Sequence, residues 1–257
     1  MKKNIVIFSL LLLSLCLLQC NTQKEINIFM IGDSTMAEYD STRYPLTGWG
    51  MKLSLFFNDN VTISNFAKSG KSTKSFRDLG YWQTVLDSLK KGDYLIIQFG
   101  HNDEKEYDTT RYTVPGGSYN ENLKRFIIEA RSKEAIPVLA TSTRRRKFDE
   151  NGKLLDTHGK YPQAMRDVAK EMNVPLIDLT KLTKPLIERY GVEGSKKLFL
   201  WIAPGEYSTY AGGEKDNTHF SLLGATEIAG LFATEVKEQN LDLKNYVILP
   251  GKNKGKN

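Results

Sequence analysis

Four short blocks hold the side chains whose types could do chemistry together: Gly32-Asp33-Ser34-Thr35, Lys68-Ser69-Gly70-Lys71, Gly100-His101-Asn102-Asp103 and Asp216-Asn217-Thr218-His219. A serine hydroxyl is a poor nucleophile until a base takes its proton. Of the three histidines, only His219 has a carboxylate three residues before it. Asp216 can reach the imidazole Nδ1–H over that single turn of chain, leaving Nε2 to face Ser34 and stabilising the imidazolium. When a serine attacks an ester carbonyl, the oxygen that becomes negative needs preorganised donors; the backbone N–H groups of Ser34 and Gly70 and the Asn102 amide are available. Taken singly, each block also has an ordinary structural reading. Gly-Asp-Ser forms turns, glycines punctuate loops, His101 and Asn102 suit helix caps, and Asp-x-x-His suits a local hydrogen bond. His158, in Asp156-Thr157-His158-Gly159, is the rival base, although its nearest carboxylate reads as a turn residue.

Chemistry at these positions requires elements that bring them together. Apolar runs at residues 26–31, 61–66, 94–99, 136–140 and 174–177 read as strands, most of them apolar throughout as strands buried on both faces are; 61–66 is more polar and suits an edge. Helical spacing occupies 119–133 (Leu123, Phe126, Ile127, Ala130) and 161–172 (Ala164, Met165, Val168, Met172). A last helix follows Ser221, a plausible N-cap, to about residue 239. Strands alternating with crossovers of this length imply a parallel sheet covered by helices on both faces, with the ligand site at the strands' carboxyl ends. The first three blocks follow the first three strands and the fourth precedes the last helix, so all four converge on one sheet edge.

In that order and at those spacings, Gly32-Asp33-Ser34, Gly70, Gly100-x-Asn102-Asp103 and Asp216-x-x-His219 resemble the four blocks of the SGNH (GDSL-type) hydrolase superfamily. The resemblance covers nearly the whole chain after its first twenty residues. Thr35 stands where the family name has Leu, and residues 99–103 and 216–221 look closest to the rhamnogalacturonan acetylesterase branch. Ser34 lacks the Gly-x-Ser-x-Gly of the ordinary α/β-hydrolase elbow. The resemblance implies a three-layer α/β/α sandwich with a mostly five-stranded parallel sheet, flavodoxin-like in order. It also implies a triad of Ser34, Asp216 and His219, an oxyanion hole of Ser34, Gly70 and Asn102, no metal or cofactor, and removal of acetyl groups from pectic or related polysaccharide.

The chain of 257 residues carries Lys+Arg 36 against Asp+Glu 30, a formal charge of +6. Lys2, Lys3, Lys252, Lys254 and Lys256 account for most of the excess, so no nucleic-acid-binding surface follows from the total. Both cysteines, Cys16 and Cys20, lie in the first twenty residues; the rest can form neither a disulfide, a thiolate metal site nor a cysteine nucleophile. Lys2-Lys3 and the apolar run 5–18 read as an export signal, too short for the roughly 20 residues of a spanning helix. Leu17-Leu18-Gln19-Cys20 resembles a bacterial lipoprotein box, with Gln19 where Gly, Ala or Ser is usual. The expected organisation is a lipoprotein signal at 1–19, one hydrolase domain at 20–250 and a basic tail at 251–257. Cys20 would then hold the chain in the bacterial envelope, and that lipid anchor is its one expected link to a membrane.

The basic run Thr141-Ser142-Thr143-Arg144-Arg145-Arg146-Lys147 follows the fourth strand, on the rim that would hold the triad. Arginine forks suit carboxylates, so Arg144 and Arg145, with His101, are candidate contacts to an acidic glycan. A solvated loop salt-bridged to Asp149 or Glu150 is the alternative. Trp49, Tyr81, Trp82, Trp201, Tyr207 and Tyr210 suit core or lid packing better than sugar stacking, and residues 201–215, with three glycines, suit a mobile rim. Competing functions are an acetyl-xylan or other carbohydrate O-acetylesterase, and a glycan-binding lipoprotein on an inactive hydrolase fold.

Overall fold

The computed structural model describes residues 24–249, so the export signal, Cys20 and the basic tail lie outside the described residues. Five parallel strands form the central sheet: β1 (Ile26–Gly32), β2 (Val61–Asn65), β3 (Tyr94–Gln98), β4 (Ile136–Ala140) and β5 (Leu176–Ile177), in the order β2-β1-β3-β4-β5. This is the flavodoxin-like order, in which the direction of winding reverses between β1 and β3 and leaves a crevice beyond their carboxyl ends. The alternation of side chains explains why the strands read as unbroken apolar runs. Ile28, Met30, Ile96 and Val138 belong to one core, and Phe29, Ile31, Leu95, Ile97 and Leu139 to the other. The more polar β2 is the edge strand, and its residues are only partly buried.

The second face is covered by α1 (Thr73–Asp78), α2 (Tyr81–Ser88), α3 (Ser118–Ser132) and α4 (Tyr161–Met172), which contribute Phe76, Trp82, Val85, Leu123, Phe126, Met165 and Val168. The first face is covered by a 3₁₀ helix at Trp49–Phe56, by α5 (Leu179–Gly194) and by α6 (Leu222–Glu238). Trp49 stacks on Phe232 of α6 at 5.3 Å between ring centroids. Ser221 caps α6 by accepting from the Gly224 N–H at 3.2 Å.

Three features depart from the sequence reading. The helices α1 and α2 have only 6 and 8 residues, too few for a periodic pattern to stand out. Pro185 interrupts α5, and Gly191 (φ 68°) turns it out of helical geometry, so its apolar period is broken. An antiparallel hairpin of β6 (Phe199–Ile202) and β7 (Glu214–Phe220) has no counterpart in the sequence reading; residues 203–213, within the stretch read as a mobile rim, connect its strands. The polar sequence of β7 hides it from any hydrophobic pattern.

A Cβ on Gly224 would lie 1.8 Å from the Leu198 carbonyl oxygen, because α6 begins hard against the chain entering β6. Gly224→Ala should therefore destabilise the fold by at least about 1–3 kcal/mol. Gly212→Ala meets nothing within 4 Å and should leave the melting temperature unchanged; thermal melts of the two variants make the comparison.

Candidate active site

Ser34 lies in the turn that leaves β1, where the buried Asp33 organises the chain. The Asp33 carboxylate accepts from the Thr35 N–H (2.9 Å), Thr35 Oγ1 (2.8 Å) and Gln98 Nε2 (3.3 Å), and pairs with His101 Nδ1 at 3.0 Å. Burial raises its pKa, but the charge and hydrogen bond of His101 and the Thr35 donors outweigh burial and hold it at about 2. Trp49 Nε1 donates to Gln98 Oε1 at 2.9 Å, joining the knot to the α6 face of the core. Thr35, the departure from the family name, belongs to this knot: its hydroxyl faces Asp33 and Gln98, where leucine has no donor. Tyr39, which the sequence did not single out, donates its hydroxyl to the Ser34 carbonyl at 2.8 Å.

Asp216 and His219 lie within β7, and the register of the hairpin explains their geometry. Phe199 pairs with Phe220 and Trp201 with Lys215, so three residues of β6 face six of β7. The surplus forms an extended bulge, which re-aims side chains that a regular strand would alternate between its faces. Asp216 Oδ1 accepts from the backbone N–H of Thr218 (2.6 Å) and of His219 (2.9 Å), while Oδ2 faces His219 Nδ1 at 2.6 Å. Burial pushes Asp216 up, but the His219 hydrogen bond and charge, with the two backbone donors, bring it down to about 2. The carboxylate therefore requires the proton on Nδ1, which leaves Nε2 2.8 Å from Ser34 Oγ as the acceptor of its proton.

The loops that carry the three candidate oxyanion donors are tied to one another: the Lys68 N–H donates to the Gly32 carbonyl at 3.0 Å, and Asn102 Nδ2 to the Lys71 carbonyl at 3.0 Å. The N–H groups of Ser34 and Gly70 donate to no other backbone group among the described residues. Gly70 has φ 74°, a conformation that a Cβ disfavours, and the short helix α1 that follows is fixed by a reciprocal Ser72–Ser75 cap. Asn102 follows β3, the strand beside β1, and one of its Nδ2 protons is held by the Lys71 carbonyl at 3.0 Å. Asp103 stitches this loop to α1, accepting from the Thr73 N–H (3.0 Å), Thr73 Oγ1 (2.5 Å) and Thr113 Oγ1 (2.8 Å).

The remaining candidates face inward. His101 and His158 are buried, and the Nε2 of each faces the same Thr143 carbonyl, at 3.2 and 2.8 Å. His158 Nδ1 lies 3.1 Å from Glu104 Oε2, which engages the ring of the rival base. Arg145 pairs with Glu104, Arg144 donates to the Thr180 carbonyl at 3.0 Å, and Arg146 donates to Ser195 Oγ at 3.0 Å and Asn217 Oδ1 at 3.0 Å. With Asp156 4.0 Å from Arg144, the acidic partners of this run are Glu104 and Asp156, joined by internal hydroxyl, amide and carbonyl oxygens, and not the Asp149 or Glu150 of the alternative reading. Cations reach open space elsewhere: a cleft of about 770 Å³ begins at Gly70 and is lined by Lys71, Lys74 and Arg111, with Asp78 and Asp108. Arg111 is paired with Asp108, whereas Lys71 has no ion pair among the described residues. Among the described residues, no three His, Cys, Asp or Glu side chains are grouped as metal ligands would be.

The model of the family described as GDSL-like Lipase/Acylhydrolase matches residues 28–232. The chain is 45% identical to rhamnogalacturonan acetylesterase RhgT of Bacillus subtilis over 226 residues, covering 88% of this chain and 96% of the relative. It is 36% identical to the probable rhamnogalacturonan acetylesterase YesY of the same organism, covering 86% and 97%. Among solved structures, the crystal structure of Bacillus subtilis YxiM superposes with a TM-score of 0.73 at 25% identity; the match covers 85% of this chain and 58% of YxiM.

Two measurements test the geometry. Asp216→Asn keeps the shape but allows the wrong His219 tautomer, so kcat should fall by about 10⁴ with little change in the melting temperature. Burial raises the Asp103 carboxyl from 3.8 to about 7 against its three hydroxyl and amide donors. An unfolded Asp103 releases its proton near 3.8 and the folded one holds it to about 7, so the native state binds more protons between those values and stability falls as pH rises across them. Asp103→Asn should flatten that fall in melts taken at pH 5 and pH 8.

Proposed function

The chain belongs to the GDSL-like lipase/acylhydrolase family, and from that premise we propose that it is a serine esterase that removes O-acetyl groups from rhamnogalacturonan. The observation that carries the reading is the hydrogen-bonded line from Asp216 Oδ2 through His219 to Ser34 Oγ, at 2.6 and 2.8 Å. The substrate is read from the 45% identity to a protein named as a rhamnogalacturonan acetylesterase, which extends over nearly the full length of both chains.

In this mechanism His219 Nε2 takes the Ser34 hydroxyl proton as Oγ adds to the acetyl carbonyl. The negative oxygen is met by the N–H groups of Ser34 and Gly70 and the free Nδ2–H of Asn102. Each such donor is worth about 10²–10³ in kcat. The imidazolium, stabilised by ionised Asp216, then protonates the departing sugar oxygen and leaves acetyl-Ser34. A water activated by the same Nε2 releases acetate and restores the serine.

A galacturonate carboxylate on the neighbouring sugar would enter the cleft beside Gly70, where Lys71 and Lys74 are the cations without an acidic partner. This relocates the acidic-glycan contact from Arg144 and Arg145, whose guanidinium groups have protein partners. Export and attachment through a lipidated Cys20 complete the reading; they rest on the lipoprotein-like residues 17–20.

Acetate release from acetylated rhamnogalacturonan, acetyl-xylan and p-nitrophenyl acetate, with Ser34→Ala as control, tests the function. The rhamnogalacturonan ester should have the highest kcat/KM, and Ser34→Ala should abolish release from all three. A better acetyl-xylan substrate would refute the pectic assignment, and release that survives Ser34→Ala would refute the mechanism. Lys71→Met should raise KM for the acidic glycan about 3–10-fold at low salt, and less at high salt, where the charge is screened.

A further inference from the structure

Asn102 is useful to an oxyanion only if its amide nitrogen, not its oxygen, faces the reacting carbonyl. The two ends of a carboxamide have nearly the same shape, so packing alone does not select between them. The neighbours do. Nδ2 donates to the Lys71 carbonyl at 3.0 Å, and Oδ1 accepts from Lys105 Nζ at 2.9 Å. A backbone carbonyl can only accept and an ammonium can only donate, so the amide is determined from both sides and one Nδ2–H is left over. The Lys71 carbonyl belongs to the backbone. Lys105 Nζ is the one side-chain donor that holds Oδ1 among the described residues.

The setting of Lys105 fits this role. The turn after β3 returns the chain over itself, with the Lys105 N–H donating to the Asn102 carbonyl at 3.3 Å and the Glu104 N–H to the Gly100 carbonyl at 3.2 Å. The nearby carboxylates have other partners: Glu104 engages Arg145 and His158, and Asp108 engages Arg111 and Thr110. Lys105 has no ion pair among the described residues. Burial and the adjacent charges of Arg111 and Arg145 push its pKa down, against the opposing charges of Glu104 and Asp108. A charge-assisted hydrogen bond to the amide oxygen also polarises the amide and strengthens its N–H as a donor.

We infer that Lys105 is a positioning residue of the oxyanion hole, whose ammonium holds the Asn102 oxygen away from the substrate and keeps an Nδ2–H for the carbonyl oxygen. The inference rests on Asn102 being an oxyanion donor. Without Lys105, a 3% exposed residue keeps an acceptor with no partner, and the amide gains a reason to rotate.

The experiment is a double-mutant cycle of Lys105→Met and Asn102→Ala, read as kcat and KM for p-nitrophenyl acetate and an acetylated oligosaccharide. Lys105→Met should lower kcat on both esters about 10-fold, less than the about 10²–10³ of losing a whole donor, with KM within about twofold. Lys105→Arg, which also only donates, should recover most of the loss. In the Asn102→Ala background, Lys105→Met should have no further effect. Equal losses in both backgrounds, an effect confined to KM, or no recovery with arginine would overturn the inference while leaving the esterase reading standing. If Asn102→Ala itself leaves kcat unchanged, the oxyanion assignment fails and the inference fails with it.

Discussion

The 2.8 Å contact between His219 Nε2 and Ser34 Oγ joins residues 185 positions apart, and most of the architecture exists to hold that separation. Ser34 is fixed to the end of a buried central strand by the Asp33 knot. His219 is fixed through Asp216 to a bulged strand of a separate hairpin. The two meet because α6, which follows β7, packs on the same 3₁₀ segment whose Trp49 donates into the knot through Gln98. A shift of either anchor would lengthen a hydrogen bond that weakens steeply with distance and angle.

The electrostatics follow the same division. The two carboxylates beside Ser34 and His219, Asp33 and Asp216, are both held at about 2 by a histidine and by N–H or hydroxyl donors, so both keep their charge at working pH. Asp103 has hydroxyl and amide donors but no cation beside it, and there burial wins. Three aspartates in three blocks thus differ through their partners, not their type. The same rule separates the arginines. Arg146 lies against Trp201 at 4.9 Å and is bonded to Ser195 and Asn217, so it ties β4's loop to the hairpin that carries His219.

Much of the fold was legible because burial on both faces writes a strand as an apolar run: four of the five sheet strands lie within a residue of the spans read from hydrophobicity, and β2 was read as the edge. The long helices were legible for a similar reason, with α4 spanning the residues read from its period. What was hidden lacked a pattern. The short α1 and α2 give too few turns, α5 is interrupted by Pro185 and Gly191, and β7 is polar, so no apolar run marks it.

The sequence by itself marked Ser34, Asp216 and His219 as candidates for nucleophile, orienting carboxylate and base, because these roles are defined by functional groups, and the three-residue spacing of Asp216 and His219 is local. It also placed Gly70 and Asn102 at strand ends, since strand order and direction constrain where loops emerge. Only the tertiary structure decided which polar groups stay free. Arg145 is drawn to Glu104, His158 to Thr143 and Glu104, and Lys71 is left facing a cleft, because each pairing depends on contacts between distant segments. The side an amide turns toward a reaction, as at Asn102, is likewise set by neighbours in space; the local sequence names the amide and leaves its orientation open.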